Sequence, residues 1–76
     1  MSEIEVDVRY RDPPEPMEMA IDALDRLQPG DTLRLLIHRE PHPLYQILRE
    51  SGFAYTVEQQ PDYTYVISIR QRAPAA

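Results

Sequence analysis

The stretch that most restricts how this chain can fold runs from residue 11 to residue 27, RDPPEPMEMAIDALDRL, where a proline-packed entry passes directly into an amphipathic helix. Met17, Ala20, Ile21, Leu24 and Leu27 fall at i, i+3, i+4, i+7 and i+10, one stripe of a 3.6-residue helix, with Glu18, Asp22 and Asp25 opposite. Pro13, Pro14 and Pro16 fix φ, and a residue before proline avoids helical ψ, so Pro13 and Glu15 are expected outside the helix. Pro16 suits the first helical position, where a missing N–H costs nothing. Asp12 and Glu15 offer capping carboxylates, Glu18 complements the dipole, and Pro29-Gly30 ends the helix.

The flanking segments read as strands and one further helix. Residues 3–10 alternate, with Ile4, Val6, Val8 and Tyr10 on one face and Glu3, Glu5, Asp7 and Arg9 on the other, the pattern of a half-buried strand. Residues 32–39 form a second strand, with Leu33, Leu35 and Ile37 inward and Leu36 an apolar residue on the solvent face. A second stiff loop, Glu40-Pro41-His42-Pro43, opens a short helix over 43–51 with Leu44, Ile47 and Leu48 as its stripe. Gly52 follows where a left-handed residue is expected. Residues 53–59 and 63–71 are the third and fourth strands, with Phe53, Tyr55 and Val57 on one face and Tyr63, Tyr65, Ile67 and Ile69 toward the core.

The order β-α-β-α-β-β specifies an α/β (α+β) two-layer sandwich. Two right-handed crossovers running the same way put both helices on one face of a four-stranded mixed sheet. A short last connection makes strand four antiparallel to strand three, and its apolar character places it centrally, giving the order 1-2-4-3. Residues 1–72 form a single domain and 73–76 a disordered tail. A chain of 76 residues has room for one layer of helix on one sheet and for no deep catalytic cavity.

Composition excludes several chemistries. There is no cysteine, so disulfides, thiolate nucleophiles, persulfide carriage and zinc–thiolate sites are ruled out. The acidic start MSEIEVD is no signal peptide, and no apolar run approaches the roughly 20 residues of a membrane span, so a cytoplasmic bacterial protein is expected, with no membrane partner. A net charge of −5 argues against nucleic acid as a partner. All eight basic residues are arginine, which reflects either genome composition or a preference for bidentate anion contacts.

The run Arg11-Asp12-Pro13-Pro14-Glu15-Pro16-Met17 resembles the Arg-x-x-Cys-Pro-x-Pro marker of the TusA-like (SirA) superfamily, in which a strand leads through that motif into an amphipathic helix. The resemblance covers nearly the whole chain, and the family's sulfur-carrying cysteine falls on Pro13. The chain is more closely similar to bacterial domains of the DUF2249 type. These tend to show PPxP before the first helix and P-x-P-L before the second, here Pro41-His42-Pro43-Leu44 followed by Tyr45. Pro29-Gly30-Asp31-Thr32-Leu33 and the Gly52-Phe53 step fit as well. Such domains look like cysteine-free TusA relatives. They occur alone or beside hemerythrin-like and other domains, and the resemblance implies a fold without an established activity.

If strands one and two are parallel, their C-terminal ends share an edge with both helix starts, where open α/β sheets bind ligands. The sequence assigns Arg9, Arg11, Glu15, His38, Arg39 and His42 to that edge, three of eight arginines and both histidines of an acidic protein. They suggest a site for an anion, a carboxylate or an acidic partner. The competing reading is that Asp12, Glu15 and Glu40 neutralise these arginines in rim ion pairs. His38, Glu40 and His42 could ligate a metal, but no further ligand is evident, so neither a metal nor another cofactor is assigned. No nucleophile or oxyanion motif accompanies the histidines, and no catalytic residue is expected. The reading is a non-enzymatic binding or adaptor module, monomeric or weakly dimeric, for a small anionic ligand or an acidic protein. The alternatives are a metal-binding accessory domain and a sulfur-metabolism accessory protein that carries no sulfur itself.

Overall fold

The computed structural model describes residues 2–11 and 15–71. The capping role of Asp12, the conformation of Pro13 and the disorder expected of 73–76 lie outside the described residues. The elements are β1 (Glu3–Asp7), α1 (Glu15–Asp25), β2 (Thr32–Ile37), α2 (His42–Glu50), β3 (Phe53–Gln59) and β4 (Tyr65–Gln71). They build a four-stranded mixed sheet in the order β1-β2-β4-β3, the expected α+β arrangement.

β1 and β2 run parallel, with Glu3 opposite Thr32 and Asp7 opposite Leu36. The ladder continues by one hydrogen bond at either end, from Thr32 N–H to the Ser2 carbonyl at 2.9 Å and from Val8 N–H to the Leu36 carbonyl at 2.8 Å. β4 lies antiparallel to both β2 and β3. Strict alternation on β2 buries Leu33, Leu35 and Ile37 on the helix-covered face. Leu36 meets Val66 across the strands on the open face, both half-buried.

α1 packs on β1 and β2, and α2 packs on β3. One continuous core joins Ala20, Ala23, Leu24 and Leu27 to Leu33, Leu35, Ile67 and Ile69 and to Leu44, Tyr45 and Leu48. Burying each large aliphatic side chain stabilises the fold by roughly 1.5–3 kcal/mol. Gly52 has φ +82°, the left-handed position that follows α2.

Four details differ from the sequence expectation. Glu15 belongs to the helix despite preceding Pro16, whose buried ring is the second helical residue. The stripe of α1 is rotated: Ala23 is fully buried while Ile21 is 39% exposed. On α2, Tyr45 is buried and Ile47 only partly so. Tyr10 and Tyr63 do not point into the core: they are 75% and 79% exposed, each at the left-handed φ of a turn, +65° and +68°. The backbone has left the strand at both positions, so the alternation that put them inside no longer applies. Val57, on the edge strand β3, is 39% exposed.

Candidate functional site

The parallel pairing of β1 and β2 puts their C-terminal ends at one edge, and the chain leaves each strand there into a short connection to a helix. The register Ile37–Tyr65 brings the β3–β4 connection, residues 60–64, to this edge too. Three loops therefore meet there, one more than the strand–helix argument supplies.

The first loop follows β1. Asp7 holds Arg9 through its backbone N–H at 3.0 Å and a two-pronged guanidinium contact at 2.9 and 2.8 Å. These hydrogen bonds draw the Asp7 carboxyl down to about 2. Arg11 then pairs with Glu15 across one helical turn. Between them, Tyr10 donates its backbone N–H to Nδ1 of His38 at 2.9 Å, and the two rings stack with centroids 5.6 Å apart. This contact spans 28 residues and ties the first loop to the second.

The second loop runs from His38 to Pro41. With Nδ1 accepting, neutral His38 carries its proton on Nε2. Glu40 accepts from the Tyr45 hydroxyl at 3.1 Å and lies 3.3 Å from Nε2 of His42. Burial, reinforced by the Glu40 carboxylate, pushes the Tyr45 phenol up from its ordinary range. Tyr45 also stacks on Tyr55 at 4.9 Å, anchoring α2 to β3. The start of α2 has no N–H to spare: His42 donates to the Glu40 carbonyl, Leu44 and Tyr45 donate to the Pro41 carbonyl, and Pro43 has no N–H.

In the third loop Asp62 accepts from the Thr64 hydroxyl at 2.6 Å and from its N–H at 3.1 Å, which lowers the Asp62 carboxyl. Arg9 lies close enough to contribute to that lowering. The exposed Tyr63 projects from this turn.

Between the two helices, above the end of β2, lies a pocket of about 440 Å³. Its walls are apolar, formed by Pro16, Met17 and Ala20 of α1, Leu35 and Ile37 of β2, and Pro41 and Leu44. Tyr10, Arg11, His38, Arg39 and Glu40 complete the lining. The volume falls within the range of small-molecule sites. The expectation for a chain this short was the absence of a deep catalytic cavity; this pocket lies at the edge of the sheet and opens to solvent. It arises because α1 presents the small Ala20 to the sheet and the helices cover different strands.

Of the residues assigned to the edge from sequence, Arg11, His38 and Arg39 line this pocket. Arg9 is committed to Asp7, Glu15 to Arg11, and His42 stands beside Glu40. None of these three is in the lining. The lining contains no serine, threonine or cysteine. Among the described residues no three histidine, aspartate, glutamate or cysteine side chains converge to hold a metal, and no helix is long and apolar enough to cross a membrane. The remaining lining residues, among them Tyr10, Met17, Ala20 and Pro41, were assigned to elements and loops but not to the site. Only Tyr10 could have been flagged, as the last apolar residue before a proline loop.

A family model described as "Uncharacterized conserved protein (DUF2249)" matches residues 5–71, a span that holds every lining residue of the pocket. No curated protein and no solved structure matches the chain.

Proposed function

We propose, for a chain that belongs to the DUF2249 family, a non-catalytic role: a binding module that holds a small organic anion at the strand-end pocket. The observation that carries this reading is the pocket itself, apolar in its walls and flanked by Arg11 and Arg39 in a protein of net charge −5. Such a site binds by burying an apolar body and pairing a charge, and its lining offers no serine, threonine or cysteine nucleophile. A concave space of this size suits a small molecule better than the flat surface of an acidic protein.

The scaffold is TusA-like on this reading, supported by the strand order β1-β2-β4-β3 and by the run Pro14-Glu15-Pro16 in the sequence where α1 begins. Where TusA-like proteins carry sulfur on a cysteine, this chain has Pro13 and no thiol anywhere, so it carries no sulfur.

The test is a titration of isotope-labelled protein with acetate, benzoate, octanoate, citrate and inorganic phosphate, followed by amide shifts. At least one organic anion should perturb Ile37, His38, Arg39 and Leu44 together. Arg39→Glu should remove the response with the circular dichroism spectrum unchanged. Shifts scattered over the open sheet face, or an undiminished response in the variant, would discard the reading.

A further inference from the structure

Resting on that reading, we infer that the ligand is a monocarboxylate with an extended apolar body: an aliphatic or aryl-aliphatic acid whose tail lies between α1 and α2 and whose carboxylate meets Arg39. Three observations select this class.

The first is the division of the lining. Met17, Ala20, Leu35, Ile37 and Leu44 come from both helices and the sheet, and offer no polar side-chain partner. A fully hydrophilic anion such as citrate would leave these walls facing polar groups without satisfying them, so the body of the ligand is apolar.

The second is which charges are already engaged. Glu40 has the Tyr45 hydroxyl and His42, and Glu15 has Arg11. Among the described residues Arg39 has no carboxylate partner. His38 accepts at Nδ1 and so keeps a donor at Nε2. Among the described residues the polar end of the pocket therefore offers donors and one guanidinium without a carboxylate partner, which matches a single acceptor group of charge −1.

The third weighs against phosphate. Phosphate sites at strand ends use the free N–H groups of a helix start. Here the first-turn N–H groups of α2 are spent on Glu40 and Pro41, and Pro43 has none. With Arg11 shared with Glu15 and no free N–H at the start of α2, Arg39 matches a carboxylate better than a phosphate dianion.

The experiment titrates the full chain with acetate, butyrate, hexanoate and octanoate, and with octylamine, inorganic phosphate and citrate as controls, below micelle-forming concentrations. Affinity should rise about fourfold per buried methylene along the series, with the Leu35 and Leu44 methyl signals moving as the tail lengthens. Phosphate and octylamine should bind at least tenfold more weakly than octanoate. Met17→Trp, at a half-buried lining position, should weaken octanoate at least tenfold. Ala20→Met makes the same test from the floor of the pocket. If acetate binds as well as octanoate, or citrate or phosphate binds better, the carboxylate-with-tail inference is overturned while anion binding at the edge stands. If octylamine matches octanoate, or nothing perturbs the pocket, both fall.

Discussion

Asp31 is nearly buried and serves two segments at once. Its carboxylate accepts from the Ser2 N–H at 3.0 Å and from the Gln28 N–H at 3.1 Å, pinning the start of β1 to the turn before β2. Replacing it with alanine strands two donors in a partly buried place, at a cost of about 1–3 kcal/mol. Urea denaturation of Asp31→Ala should show that loss as a lower midpoint. Asp7 sits at the other end of β1 and makes a pH prediction. Its carboxyl titrates near 2 in the fold, below the roughly 3.9 of an unfolded aspartate. A depressed carboxylate contributes stability that is complete above the unfolded value and is lost as pH falls through the folded one. The window is therefore pH 4 to 2. Because the Arg9 and Asp7 side chains are 34% and 48% exposed, solvent screens the pair and its contribution is small. Asp7→Asn should flatten the stability profile between pH 4 and 2 and leave the slope above pH 5 unchanged.

At the level of the helix, α1 separates what periodicity reveals from what packing adds. The 3.6-residue pattern located the helix and most of its stripe, but Ile21 lies at the margin and Ala23 at the centre. The helix packs on β1 and β2, and the small residues Ala20 and Ala23 are the ones fully buried in the core it shares with them. Stability measurements can tell the two stripes apart. Ala23→Leu should cost about 1–3 kcal/mol through overpacking, whereas Ile21→Ser should cost under about 1 kcal/mol. The opposite ranking would restore the stripe read from sequence. In α2 the same effect replaces Ile47 with Tyr45, whose ring finds Tyr55 on β3 and whose hydroxyl finds Glu40. Neither partner is visible from helical spacing, since one lies on another strand and the other precedes the helix.

Taken as a whole, the molecule is a thin two-layer structure in which a cavity of about 440 Å³ sits where the layers part. Filling it should stabilise the fold by mass action. At ten times its dissociation constant a ligand adds about 1.4 kcal/mol, which for a domain of this length raises Tm by roughly 6–10 °C. Thermal unfolding in octanoate should show that rise, and Arg39→Glu should abolish it. A rise of equal size in the variant would mean that the acid stabilises the fold elsewhere.

Reading residue by residue reached the elements, the strand order, the edge shared by two loops and the absence of any thiol. These depend on local spacing, on proline's fixed φ and on simple inventory, all properties of the chain before it folds. It did not reach the outward turn of Tyr10 and Tyr63, the capture of Arg9 by Asp7, the third loop at the edge, or the pocket. Each depends on where a distant segment comes to rest: Tyr10 turns outward to meet His38, 28 positions away, and the pocket opens only because two helices settle on different strands of one sheet. Periodicity reports which face of an element is apolar. How far that face is filled is set by the three-dimensional fit of partners remote in sequence.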